Sequence, residues 1–176
     1  MTGTNDKRVS SETRQQLIAL LPRLRRFAYS LTGNLDEADD LIQAACERAL
    51  RHLDQWQEGT ELDRWMFKII RNLRIDNLRS QQLRGESVDP HTVPEISGGN
   101  DDRLVEAQQT LEKVNQAMAA LPEEQRMVLT LVSVDGLSYR EAAAILEIPV
   151  GTVMSRLARA RRQLYARVHG NDSRPK

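Results

Sequence analysis

The sequence predicts an all-α protein made of two small helical domains joined by a flexible acidic linker. Apolar residues recur at helical spacing before residue 84 and again after residue 103, and no segment alternates with the two-residue period of a half-buried strand. Between them lies "GESVDPHTVPEISGGNDD", residues 85 to 102, which has five acids, no lysine or arginine, two prolines, three glycines and no period of its own. The expected organisation is a helical unit over 10–84, a linker over 85–102 and a second helical unit over 103–170.

Composition narrows the function classes. The 176 residues carry 25 basic and 25 acidic side chains, so affinity for a polyanion has to come from how charge is distributed. Aromatic residues make up 4% of the chain, too few for a large aromatic-lined ligand pocket. The single cysteine, Cys46, excludes an internal disulfide and fits a reducing compartment. No basic-then-apolar leader opens the sequence, and no apolar run approaches the roughly 18 residues needed to cross a bilayer. The expectation is a cytoplasmic protein without a membrane role.

The first clear element is "NLDEADDLIQAACERALRHLDQW". Asn34 and Glu37 form a capping pair, and Ala38, Leu41, Ile42, Ala45 and Ala49 share one face, with Leu53 below. Its entry is acidic, with Asp36, Glu37, Asp39 and Asp40, and there is no cation before Arg48. A helix N-terminus satisfying its dipole accounts for that composition by itself. After the loop "QWQEGTELD", Gln55 to Asp63, a second helix carries Leu62, Met66, Ile69 and Leu73 at spacings of four, three and four. That stripe predicts core, and Lys68, Arg71, Asn72, Asp76 and Arg79 lie away from it.

In the second unit, Pro122 opens a helix with acids in its first turn, and Gly136 stops it. "SYRE", Ser138 to Glu141, has the form of a capping box, so another helix begins there and runs through Ala142, Ile145 and Leu146 to just before Pro149. The last helix starts near Val150. From Val150 to Val168 it carries five arginines (156, 159, 161, 162 and 167) and no carboxylate. At 100° per residue, Val153, Leu157, Ala160 and Leu164 form one face, while Thr152, Ser155, Arg156, Arg159, Arg162 and Gln163 gather on the other. A hydrogen-bonding cationic stripe on the second helix of a helix-turn-helix suits a DNA major groove about 12 Å wide.

"LPEEQRMVLTLVSVDGLSYREAAAILEIPVGTVMSRLARARRQL" resembles region four of the extracytoplasmic-function group of bacterial RNA polymerase sigma factors. "ADDLIQ" is similar to region two of the same family. The resemblance implies a region-two helical bundle followed by a region-four helix-turn-helix. It implies minus-35 promoter contacts by Thr152, Ser155, Arg156 and Arg159, with Arg162 on phosphate. Minus-10 contacts fall to Lys68, Arg71, Asn72, Asp76 and Arg79, with Asn72 meeting the non-template strand and the 55–63 loop capturing an unstacked base. Asp39, Asp40 and Gln43 face the clamp helices of the polymerase large subunit. The implied partners are core RNA polymerase, through clamp helices and flap, promoter DNA, and an anti-sigma factor. The sequence departs from the family pattern at Ala44, Cys46, Met154 and Ala158.

The helix-turn-helix by itself also suits a stand-alone regulator, which reads two half-sites as a dimer. That alternative leaves "ADDLIQ" and the basic helix of the first unit without a role. An enzyme is not expected. His52, His91 and His169 lie in three separate segments without metal-ligand spacing, and no glycine-rich phosphate loop is present, so neither a metal nor another cofactor is predicted. Cys46 reads as a small core residue, with a redox switch as the lesser alternative.

Overall fold

The computed structural model describes residues 11–56, 61–84 and 102–170, without the side chains of 54 and 102–109. Among these residues the fold is all-helical. The predicted linker lies outside them apart from Asp102, as do residues 57–60 of the predicted base-capture loop.

The first half contains, among the described residues, three α-helices, α1 (Ser11–Thr32), α2 (Leu35–Arg51) and α3 (Leu62–Arg84), with a short 3-10 turn at Leu53–Gln55 after α2. No sequence period announces the first of these, and it carries Pro22 in its interior. A single proline removes one main-chain hydrogen bond, a loss that a 22-residue helix buried along one side absorbs. Leu24, Phe27, Ala28 and Leu31 supply that side. Asn34 caps α2 by accepting from the main-chain N–H groups of Asp36 and Glu37 at 2.8 and 3.2 Å. Glu37 does not return the bond; its carboxylate lies 3.7 Å from Arg74 on α3. The predicted apolar face of α2 is present, with Ala38, Leu41, Ala45 and Ala49 buried and Ile42 packed against them.

Helix α3 is rotated relative to the predicted stripe. Leu62 and Met66 are buried, but the line continues through Phe67, Ile70 and Arg74, leaving Ile69 and Leu73 only partly covered. The rotation follows from α3 having neighbours on two sides, α1 and α2 on one and a helix of the second half on the other. Phe27 and Phe67 meet edge to face at 5.0 Å, at the centre of this bundle.

The second half contains α4 (Asp102–Ala119), α5 (Glu123–Leu129), a π-helical segment Thr130–Val134, α6 (Tyr139–Leu146) and α7 (Val150–His169). Pro122 occupies the N-cap of α5, and the segment closes at Gly136, whose φ of +72° suits a residue without Cβ. The capping box at Ser138 and Glu141 is complete in both directions. Glu147 ends α6 in the left-handed region at φ 53°, and Pro149 follows as the N-cap of α7.

The two halves share one core. Helix α1 packs on α5 and the π-helical segment, and α3 packs on α6. Arg126 of α5 is 4% exposed, yet its guanidinium crosses the boundary. Its Nε donates to the carbonyl of Ser30 in the last turn of α1, and Nη1 donates to Ala119 and Leu121 at 2.9 and 3.2 Å. Burial lowers its pKa from the ordinary arginine value, and nearby Glu123 opposes the shift. Replacing Arg126 with leucine leaves three carbonyls short of a donor. It should cost about 2–4 kcal/mol of stability, read from the urea midpoint.

Candidate nucleic-acid interface

Helix α7 is stabilised on one side and exposed on the other. Val153, Leu157 and Ala160 are buried, and Leu164 packs against the same cluster. Ser155, Arg159 and Arg162 are exposed, and Thr152 is partly covered in the first turn. Ser155 spends its hydroxyl on the carbonyl of Thr152 at 3.1 Å. Among the described residues no carboxylate pairs with Arg159 or Arg162, so both guanidinium groups are available to an external anion. Arg161 donates to Ser133 at 3.2 Å and leans toward the π-helical segment.

Arg156 departs from the predicted surface. Its side chain is 21% exposed and reaches 2.6 Å from Glu124 of α5. At 100° per residue it stands only 60° from Val153, so it borders the packed face rather than opposing it. Gln163 is likewise partly covered.

The set expected on α3 divides in the same way. Lys68, Asn72, Asp76 and Arg79 are exposed. Asp76 lies 3.7 Å from Arg48, which ties α3 to α2. Arg71, by contrast, is 16% exposed and is held 2.7 Å from Glu147, in the turn just before α7. It also donates to the Asn72 amide oxygen at 3.2 Å. Arg74, which no sequence pattern singled out, is buried between Glu37 and Glu123. A cation inside a row of apolar positions was its one visible signal. Trp65, beside the apolar stripe, is partly buried against the core.

On α2, Asp40 and Gln43 are exposed, with Gln43 donating to Glu47 at 3.3 Å. Asp39 is engaged: Arg25 of α1 grips both its oxygens at 2.7 Å. The Arg25–Asp39 fork fixes the entry of α2 against α1, and among the described residues Asp36 and Asp40 are the carboxylates of the acidic edge without an ion pair. Cys46 is half-buried and burial raises its thiol pKa, the opposite of what a reactive thiolate needs. Among the described residues no helix is long and apolar enough to cross a membrane.

Residues 17–84 match the sigma-70 region 2 family and residues 111–164 match the sigma-70 region 4 (Sigma70_r4_2) family. The ECF RNA polymerase sigma factor EcfG of Rhodopseudomonas palustris strain TIE-1 is 38% identical over 158 residues, which cover 90% of this chain and 86% of EcfG. The chain belongs to the ECF RNA polymerase sigma factors. The ECF sigma-E factor of Escherichia coli K12 is 34% identical over 141 residues, 75% of this chain and 74% of that one. The sigma factor RpoE of Bartonella quintana, solved in complex with the anti-sigma factor NepR, superposes with a TM-score of 0.74. It is 30% identical, covering 91% of this chain and 98% of its own. A stand-alone regulator leaves the region 2 match over 17–84 without explanation.

The capping box of this sigma factor also sets a pH limit. Glu141 accepts from the main chain of Ser138 and pairs with Arg64 of α3, and these bonds hold its carboxyl at a pKa of about 2. A lowered carboxylate contributes stability above its ordinary range, and that contribution disappears as the pH falls toward the folded value. Thermal midpoints should therefore decline from about pH 4.5 to about pH 2. Glu141→Gln, followed by circular dichroism, should flatten that part of the decline.

Proposed function

We propose that this sigma factor directs core RNA polymerase to promoters through three separate surfaces. Region 2 spans 10–84 and region 4 spans 103–170, with the acidic segment 85–102 as the tether between them. Thr152, Ser155, Arg159 and Arg162 read the minus-35 element in the major groove, and Arg156 joins them when Glu124 releases it. Lys68, Asn72, Arg79 and Asp76 face the minus-10 element, with Arg71 added once it is free of Glu147. Asp40 and Gln43 contact the polymerase clamp helices, and Asp39 positions that edge through Arg25. Region 4 docks on the flap.

The observation that carries this reading is α7: an inward face fully used for packing and an outward face whose arginines have no acidic partner among the described residues. A merely solvated helix gains from carboxylates four residues from its arginines, and this helix has none. The likeness to a sigma factor solved with its anti-sigma factor supports control by an anti-sigma partner in a stress or signal response. Neither a metal nor a small-molecule cofactor has a part in this reading, and the chain acts as an initiation factor in the cytoplasm.

In-vitro transcription with purified core polymerase on a promoter library is the direct test, and defined start sites are expected. Arg159→Ala should lower minus-35-dependent transcription by about tenfold or more, as expected for removal of one base or phosphate interaction, while capture of core enzyme is unchanged. Asp40→Ala should do the reverse, weakening competition for core polymerase without altering which promoter is chosen.

A further inference from the structure

Helix α7 carries an apolar edge that its own packing leaves in solvent. Val150 and Met154 are large hydrophobic side chains, yet they are 38% and 52% exposed, and Ala158 is exposed four residues further on. Residues four apart lie on one row of a helix, so these three form a ridge beside the strip of Ser155, Arg159 and Arg162. Met154 stands roughly 60° from Leu157 on the packed face, as Arg156 stands roughly 60° from Val153 on the opposite flank. Arg156 is covered and held by Glu124. Met154, at the same angle, faces outward. Single exposed apolar residues are ordinary on any surface. A row of them in the first turns of a helix-turn-helix second helix lies where base edges are met.

We propose that this edge reads thymine: the Met154 side chain packs on the 5-methyl group of an A·T pair in the minus-35 element, with Val150 beside it. The inference rests on the promoter reading of α7 and adds the base that the helix selects. Among the four bases only thymine presents a methyl group in the major groove. The unbranched, polarizable thioether chain of methionine adapts to such a contact. Cytosine would instead set its N4 amine against carbon and lose the water that pairs with it.

The neighbours leave this role to Met154. Ser155 donates its hydroxyl to the carbonyl of Thr152 at 3.1 Å, and Thr152 is itself partly covered, so the first turns offer few free donors to a base edge. Gly151 is exposed on the same side, and a Cβ there would meet nothing within 4 Å. Glycine weakens a helix relative to alanine, and what it provides here is close approach of the groove to the main chain beside Val150. Met154 and Arg159 are five residues apart, roughly 7.5 Å along the helix axis. At about 3.4 Å per step, the thymine lies about two base pairs from the Arg159 contact.

The test uses the full chain with core polymerase, on a promoter found by library transcription. Deoxyuridine replaces each thymine of the minus-35 element in turn, on either strand; it keeps the base pair and lacks only the methyl group. With the parent, promoter affinity of the holoenzyme, measured by competition, should fall about fourfold at one or two thymines, the factor that burial of one methyl group supplies. Met154→Ala should bind the thymine promoter about fourfold or more less tightly, and should be indifferent to deoxyuridine at those positions. Met154→Leu should keep the sensitivity. Met154 is exposed and alanine is the better helix former, so Met154→Ala should melt no lower than the parent. A minus-35 element without an A·T pair, no deoxyuridine effect in the parent, or an equal effect in the parent and Met154→Ala would overturn the thymine contact. Arg159→Ala separates this from the promoter reading. If it lowers affinity while deoxyuridine does nothing, the thymine contact fails and the promoter reading stands; if neither Arg159→Ala nor any change in the minus-35 element matters, the promoter reading itself fails.

Discussion

The arrangement of the whole molecule depends on one buried guanidinium. Arg126 cannot shed its charge at any pH a folded protein survives, so once removed from water it must be given acceptors. It takes them from three main-chain carbonyls, one at the end of α1 and two around the turn from α4 into α5. The last turn of a helix is where carbonyls lack partners within the helix and where the dipole favours a cation. Arg126 therefore seals α1 with a residue 96 positions later, and docks α5 in one orientation on the first bundle. The other cross-boundary pairs follow from that placement. Asp135 falls against Arg23 and Arg26, and the α6 cap comes within reach of Arg64.

Charge on this chain is sorted by whether it is answered. Region 4 contributes acids to the boundary and keeps its unanswered arginines on the far side of α7. Region 2 contributes arginines to the boundary and keeps two aspartates of α2, Asp36 and Asp40, without an ion pair among the described residues. The surfaces left over are thus cationic at one end and acidic at another, although the totals cancel. Which charges are left over is decided by helical phase. Moving Arg159 one position toward the C-terminus would turn it by 100°, onto the packed face.

Local features are legible in the sequence to within a residue or two. The capping box at Ser138, the break at Pro149, the stop at Gly136 and the face of α2 are all carried by neighbours in the chain, and short-range spacing reports them. Features that depend on a distant partner are not legible. Apolar spacing alone sets the expected stripe on α3, and the helix turns aside from it because Arg74 and Phe67 face other helices. Arg156 and Arg71 look like surface cations until Glu124 and Glu147 stand beside them. Helix α1 escapes because its proline and its scattered polar residues hide a face that only its packing defines. The capping pair at Asn34 is half right: the asparagine caps, and its glutamate is drawn away by an arginine from another helix.

The small number of unanswered cations sets how this sigma factor can bind DNA. A surface offering only a few arginines to phosphates releases few counterions, so its affinity in cellular salt is weak and every arginine matters. Two such surfaces on one chain become strong only when something fixes their separation, because the second is then engaged at an effective concentration set by the tether rather than by solution. A neutral chain that folds its halves together has neither advantage by itself. In the proposed reading, core polymerase that holds region 2 and region 4 at separate places supplies the spacing, so promoter binding becomes a property of the assembly. In that reading the weakness of each helix alone makes the assembled enzyme selective: an α7 with many more unpaired cations would hold any duplex, and the minus-35 sequence would contribute little to where it stops.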